Sequence, residues 1–262
     1  MNNGPIGIFD SGVGGLSIYM ELKKMLPKES FVYVADTKNC PYGSRKKDEI
    51  ILLSERITDF LIEKKCKIIV VACNTATTAA IGVLRKKFST PFVGVEPAVK
   101  KACSETKTGV VGILATKGTL ESDSFKDLCK KYAGEVSLIE KEANELVWLI
   151  ESSCSDTKRV SEKIKKYIEP MMEKGADKVV LGCTHYPLVK DIMINIYGNN
   201  IDFIDSSNAV AKQTKKVLND LDAFSEKEIS STAFYSTGDA SSMKDILNAL
   251  GIYNAKIETV GI

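Results

Sequence analysis

Two cysteines in this chain close nearly the same phrase. Cys73 ends an apolar run and is followed by Asn74, Thr75, Ala76 and Thr77; Cys183 ends another and is followed by Thr184 and His185. A short apolar run that stops at polar residues reads as a buried strand reaching the edge of a sheet. Each thiol also precedes a predicted helix start, where the partial positive charge favours a thiolate. A free cysteine is otherwise a small buried hydrophobe. That reading, or plain surface placement, suffices for Cys66, Cys103, Cys129 and Cys154. Cys40, beside Pro41, Tyr42 and Gly43, could line a site.

Two such thiols admit three chemistries. One could be a nucleophile with His185 as its base, as in acyl transfer. His185 is only two residues from Cys183, however, and the second cysteine would be idle. A redox pair is the second option, but the chain has no CxxC spacing. The third is symmetric proton transfer. Two thiols on opposite faces of one carbon can remove a proton on one side and return it on the other, which inverts the centre. The reverse reaction exchanges their roles, so two similar groups are needed. An amino-acid α-proton is very weakly acidic, and a free thiol near pKa ~8.5 is a modest base. Desolvation and fixed dipoles must then provide much of the rate. Asp10 and His185 are the proton-handling partners for the two thiols. Glu151 is a third candidate, set against an ordinary surface carboxylate.

Asp10-Ser11-Gly12-Val13-Gly14-Gly15 follows a short apolar strand at 5–9. It lacks the G-x-G-x-x-G spacing of a dinucleotide fold and the GK[ST] ending of a phosphate loop. An acidic residue also stands where pyrophosphate would be repelled. The turn is expected to use its glycines for positive φ and close approach. Its backbone N–H groups would face a carboxylate or similar anion at a helix start, with Asp10 beside that anion site.

These residues need strands to hold them. Apolar runs at 31–35, 91–95, 108–114, 136–139, 179–182, 201–204, 233–236 and 257–260 read as strands. Helical spacing is predicted over 16–25, 47–64, 75–88, 98–104, 145–151, 158–174, 187–196, 209–221 and 241–250. Residues 115–119 open one further helix that carries Phe125 and Leu128. Strand and helix alternate, which predicts an α/β fold with mainly parallel sheets and polar strand tips at the ligand-binding edge. Asp10 and Cys73 are 63 residues apart, Thr116 and Cys183 are 67 apart, and each interval holds similar elements. Two pseudo-symmetric domains are expected, 1–97 with 208–262 and 98–207, with the site in the cleft between them.

Composition narrows the rest. The 262 residues are 44% hydrophobic and allow one large domain or two small ones. With 36 basic and 34 acidic side chains, there is no electrostatic case for nucleic acid or a membrane surface as partner. No apolar run approaches a membrane span, and 4–9 is too short for a signal-peptide core. Seven cysteines without a paired pattern fit a reducing cytoplasm. The single histidine, His185, excludes a His-rich catalytic zinc site, and no metal is expected.

The phrases FDSGVGG at 9–15, PYG at 41–43, ACNTAT at 72–77 and GCTHYPL at 182–188 resemble the cofactor-independent glutamate racemases of the aspartate/glutamate racemase superfamily. TKGT at 116–119, IDSS at 204–207 and FYSTGD at 234–239 support the resemblance, which spans nearly the whole chain. It implies that Cys73 deprotonates D-glutamate with help from Asp10, and Cys183 deprotonates L-glutamate with help from His185. Ser11, Pro41, Tyr42, Gly43, Asn74, Thr75 and Thr184 would hold the substrate; Glu151, Thr116 and Thr119 are further candidates. It also implies no cofactor, a bacterial cytoplasm, D-glutamate for peptidoglycan, and a homodimer. Racemisation of aspartate and a non-catalytic binding protein are the alternatives. The chain departs from the pattern at 143–150, where relatives carry two prolines and this sequence has none, and Trp148 is expected near the site rim. Activity should survive chelation by EDTA and need no added pyridoxal phosphate; a rate that returns only with either addition would contradict this reading.

Overall fold

The structure, a computed structural model, describes residues 3–153, 156–226 and 228–262. Cys154 lies outside the described residues. A first alternating run comprises β1 (Ile6–Asp10), α1 (Leu16–Met25), β2 (Phe31–Ala35), α2 (Lys47–Glu63), β3 (Ile68–Val71), α3 (Asn74–Lys87) and β4 (Phe92–Gly94). After α4 (Val99–Glu105) a second follows: β5 (Val110–Ala115), α5 (Lys117–Leu120), α6 (Asp123–Tyr132), β6 (Ser137–Glu142), α7 (Asn144–Ser153), α8 (Thr157–Glu173), β7 (Lys178–Gly182), α9 (Lys190–Tyr197) and β8 (Asp202–Ile204). The chain closes with α10 (Ser207–Asp220), β9 (Thr232–Ser236), α11 (Ser241–Ala249) and β10 (Ile257–Thr259).

Two sheets result, in the orders β10-β9-β2-β1-β3-β4 and β6-β5-β7-β8. Every strand pair in them is parallel. The second sheet repeats the order of the four strands β2-β1-β3-β4 in the first, so the two runs are topologically equivalent. In each, the chain reverses direction across the sheet at the pair β1/β3 or β5/β7. That reversal leaves a crevice at the carboxyl ends of those strands, where ligands bind in open α/β sheets. β1 and β3 carry Asp10 and Cys73 to one such point; β5 and β7 carry Thr116 and Cys183 to the other.

The apolar pattern explains why the strands are central. Side chains alternate across a sheet with period two. Ile6 and Ile8 of β1, and Ile68 and Val70 of β3, enter one core cluster. Phe9, Ile69 and Val71 point the other way, into a second cluster beneath α2 and α3. β7 repeats this, with Val179 and Leu181 in the first cluster and Val180 in a third. Strands apolar on both faces need helices on both, and the alternating helices supply them. The first cluster also contains Leu16, Leu114, Leu146 and Leu181, so one core runs from the first sheet to the second. The C-terminal strand β9 pairs with β2, and β10 with β9, while α10 packs on α1.

Two helices differ from the sequence expectation. The helix expected from 115 through Leu128 is two: α5 stops at Leu120, and the Ser122 hydroxyl accepts from Phe125 N–H to cap α6. Serine competes for backbone groups and so favours a new start over continuation. The segment at 187–196 begins as a 3₁₀ turn, Tyr186–Val189, before α9. Far from the strand tips, Lys67 ahead of β3 and Glu29 ahead of β2 form a buried ion pair at 2.6 Å. Glu29 also accepts from Ser225 N–H at 2.7 Å, tying in the C-terminal segment. Lys67→Met should therefore strand a buried carboxylate and cost about 3–5 kcal/mol in urea unfolding, much of it recovered by adding Glu29→Leu. A loss below about 1 kcal/mol would show that this pair is dispensable.

Candidate active site

The site is built on the turn after β1. Asp10 is fully buried. Its Oδ2 accepts from Gly15 N–H at 2.9 Å and Gly12 N–H at 3.4 Å, and its Oδ1 from the Thr184 hydroxyl at 3.4 Å. Val13 N–H donates to Glu151 Oε1 at 2.8 Å. The expected anion at this turn is thus the protein's own: Asp10 occupies the donors instead of sitting beside them. The glycines also differ from expectation. Positive φ does not occur at Gly12, Gly14 or Gly15. Close approach is the reason for them, since a Cβ on Gly12 would lie 1.9 Å from Glu151 Oε1, and one on Gly14 would lie 2.5 Å from His185 Nδ1. Burial pushes the Asp10 carboxyl above its usual range, only partly offset by the nearby His185 charge and Gly15 N–H.

Cys73 follows the β3 tip and caps α3, accepting from Ala76 N–H at 3.4 Å; its thiol faces Ser11 Oγ at 3.7 Å. The helix start was expected to favour a thiolate. Burial and the Asp10 charge outweigh it and push the Cys73 thiol up, against the pull of Ala76 N–H. Cys183 follows the β7 tip, 3.7 Å from His185 Nδ1. No α-helix starts behind it until Lys190, so the helix-dipole expectation fails there too.

His185 is buried, and its Nε2 lies 2.6 Å from Glu151 Oε1. Burial alone would lower its pKa. Hydrogen bonds to Cys183, Cys40 and Glu151 reverse that and hold it well above the ordinary imidazole value. Burial likewise presses the Glu151 carboxyl up, but the His185 hydrogen bond and charge bring it below its usual range. Glu151 is therefore not a surface carboxylate: it backs the imidazole ring, held by Val13 N–H and, at Oε2, by the Ser242 hydroxyl at 3.4 Å.

Cys73 and Cys183 line one pocket of about 10 Å³. Ser11, Asn74 and Thr75 join it from the first sheet, Thr116, Thr184 and His185 from the second, and Pro41, Tyr42 and Gly43 from the loop after β2. Asn74 Nδ2 is buried with no hydrogen-bond partner among the described residues. Thr75 and Thr116 hydroxyls meet at 2.9 Å across the two sheets, and Thr119 stands behind Thr116 at 3.0 Å. The Tyr42 hydroxyl is turned away, donating to Asp36 at 2.5 Å, so its ring and backbone form the wall. Trp148 is outside this pocket; it lines a neighbouring 610 Å³ cavity on the other side of Glu151. The unbroken α7 buries Leu146, Val147 and Ile150 in the absence of prolines at 143–150.

Sequence reasoning missed Asp36. It is buried and also accepts from the Thr237 hydroxyl at 2.5 Å and from Asn39, so it anchors the loop of Pro41 to Gly43 against β9. Its position just past a strand end, and that of Thr237 at another strand tip, were signals, but their proximity was not.

The Asp/Glu/hydantoin racemase profile matches residues 6–214, from β1 into α10. The chain belongs to that racemase family. A glutamate racemase of Herpetosiphon aurantiacus is 47% identical to this family member over 218 residues, 83% of this chain and 86% of the relative. The structure of a glutamate racemase isoform from Bacillus anthracis superposes with a TM-score of 0.89 at 30% identity, covering 99% of this chain and 98% of that one. The Escherichia coli glutamate racemase, solved with L-glutamate and the activator UDP-MurNAc-Ala, gives 0.84 at 31% identity, covering 98% and 97%.

The racemase-family chain has one histidine, which makes its ionisation directly readable. The His185 pKa is raised by folding, so that part of the stability is full below pH 6.5 and declines as pH rises through the folded value. The Glu151 pKa is lowered, so its part is full above pH 4.5 and is lost as pH falls through the folded value. Imidazole NMR should show a ring that stays protonated well above the ordinary value of 6.5, and Glu151→Gln should lower that titration. A wild-type ring titrating at or below 6.5 would refute the ion pair.

Proposed function

We propose that the protein interconverts L- and D-glutamate by proton transfer between two thiols at Cα. One observation carries this: equivalent strand tips of two topologically equivalent four-strand units deliver Cys73 and Cys183 to a single pocket. Cys73 takes the α-proton of D-glutamate, and Cys183 returns one to the opposite face; L-glutamate reverses the roles. The Cys73 thiolate becomes a thiol as the Cys183 thiol becomes a thiolate, so charge and protons balance. Asp10 receives and returns the Cys73 proton, and His185 serves Cys183.

Among the described residues, the pocket lining has no lysine or arginine. Substrate carboxylates would be held by neutral donors, among them the unpaired Asn74 amide and the Ser11, Thr75, Thr116 and Thr184 hydroxyls. The His185 charge stabilises negative charge developing at Cα. A pocket of about 10 Å³ holds at most one water. Glutamate enters only when the units 1–97 with 208–262 and 98–207 part, and their closure excludes water from the thiols. Among the described residues no helix is long and apolar enough to cross a membrane. A cytoplasmic location, a homodimeric state and supply of D-glutamate for peptidoglycan complete the reading.

Incubation in deuterium oxide should place deuterium at Cα of glutamate during interconversion. Cys73→Ser and Cys183→Ser should each slow racemisation by about 10²–10⁴-fold with an unchanged thermal melt. Full activity in either variant would end the two-thiol account. Exchange with aspartate as fast as with glutamate would move the assignment to aspartate, and no exchange with either would favour a binding protein.

A further inference from the structure

Cys40 has no part in the chemistry above, yet its sulfur is aimed at the back of the site. One donor atom each of Cys40, Glu151 and His185 lies within 4.8 Å of the other two. They come from the loop after β2, from α7 and from the tip after β7. The sulfur is 3.5 Å from Oε1, and Nε2 is 2.6 Å from the same oxygen. Bare Gly12 gives the cluster its room: a Cβ there would be 2.9 Å from Cys40 Sγ as well as in contact with Glu151.

A thiolate, an imidazole and a carboxylate are the ligand types of zinc and similar borderline-soft divalent cations. Tetrahedral zinc with these donors sets them about 3.4–3.6 Å apart. The sulfur–oxygen distance is already there, and the nitrogen–oxygen distance would widen by about 0.8 Å on exchanging a proton for a metal. The surroundings are ordered for it. Val13 N–H and the Ser242 hydroxyl orient the carboxylate, and Cys183 faces the other ring nitrogen, the outer contacts a ligand set needs. Cys40 and Glu151 both line the 610 Å³ cavity, an entry route separate from the pocket between the two thiols.

We propose that Cys40, Glu151 and His185 bind one borderline-soft divalent cation, zinc by its donors, and that the bound cation shuts off racemisation. Coordination expels the Cys40 thiol proton and the His185 Nε2 proton to solvent; no electron moves. Three protein ligands leave the fourth position to water. With its ring fixed to the metal and the Glu151 partnership broken, His185 no longer serves Cys183. The binding stands by itself, whereas the inhibition rests on the racemase reading.

Zinc chloride soaked into crystals of the full chain should give a zinc-edge anomalous peak among the three atoms, and a peak elsewhere or none would overturn the site. In solution, cobalt(II) added to metal-free protein should produce a thiolate-to-cobalt absorption band. The band should vanish in Cys40→Ser and Cys40→Ala and persist in Cys183→Ser. A band that survives both Cys40 variants, or that disappears with Cys183→Ser, assigns the metal to the catalytic thiols and refutes the proposal. Neither readout needs turnover, so each is independent of the substrate assignment. In racemisation assays, the half-inhibiting zinc concentration should rise at least tenfold in Cys40→Ser, measured against that variant's own metal-free rate. An unchanged value would remove the inhibitory role.

Discussion

Everything at the centre of this protein is hung from the buried carboxylate of Asp10. One of its oxygens gathers the N–H groups of Gly12 and Gly15, and the other reaches the Thr184 hydroxyl beyond the cleft. A buried carboxylate without such partners would be costly, so the turn and the opposing strand tip are drawn to it. The folded turn leaves Gly12 and Gly14 bare against Glu151 and His185. One acidic side chain thereby sets the backbone path, the closeness of the two halves and the electrostatic setting of Cys73.

A second tier of polar contacts works from behind. Glu151 holds the His185 ring while being held by Val13 N–H, so α7 of the second half is latched to the first half's glycine turn. Asp36 performs the same service for the loop at Pro41 to Gly43, through Tyr42 and Thr237. Ser17 donates to the Thr184 carbonyl, and Ser206 to that of Glu96. Apart from Tyr42–Asp36, these contacts bridge segments far apart in sequence. They are buried or partly buried, and hydrogen bonds shielded from water are directional, so they define where the thiols sit more sharply than apolar packing can. The packing itself supplies rigid strand tips, because each central strand is apolar on both faces.

The electrostatics of the two thiols are unequal although their topology is equivalent. Cys73 has a helix N-terminus and a carboxylate; Cys183 has a 3₁₀ turn and an imidazole. The proposed two-thiol reaction runs in both directions and places the same demand on each, and the two thiols face it with different neighbours. Burial and the neighbouring Asp10 charge push the Cys73 thiol up, against the pull of the Ala76 N–H.

The sequence by itself determined the elements and marked the polar groups at their tips. Alternating apolar runs and helical spacings predicted two parallel α/β units, because period and strand polarity are local properties. The repeated phrase around Cys73 and Cys183 marked the thiols, and the motifs around Asp10 and His185 pointed to their partners. Only the tertiary structure decided how those groups meet. It filled the glycine turn with Asp10's own carboxylate and showed that the glycines serve contact instead of positive φ. It turned the Tyr42 hydroxyl toward Asp36, and it placed Cys40 beside Glu151 and His185, residues more than a hundred positions away. Such contacts depend on which strand tips share an edge and how closely two sheets approach, and neither is written in local spacing.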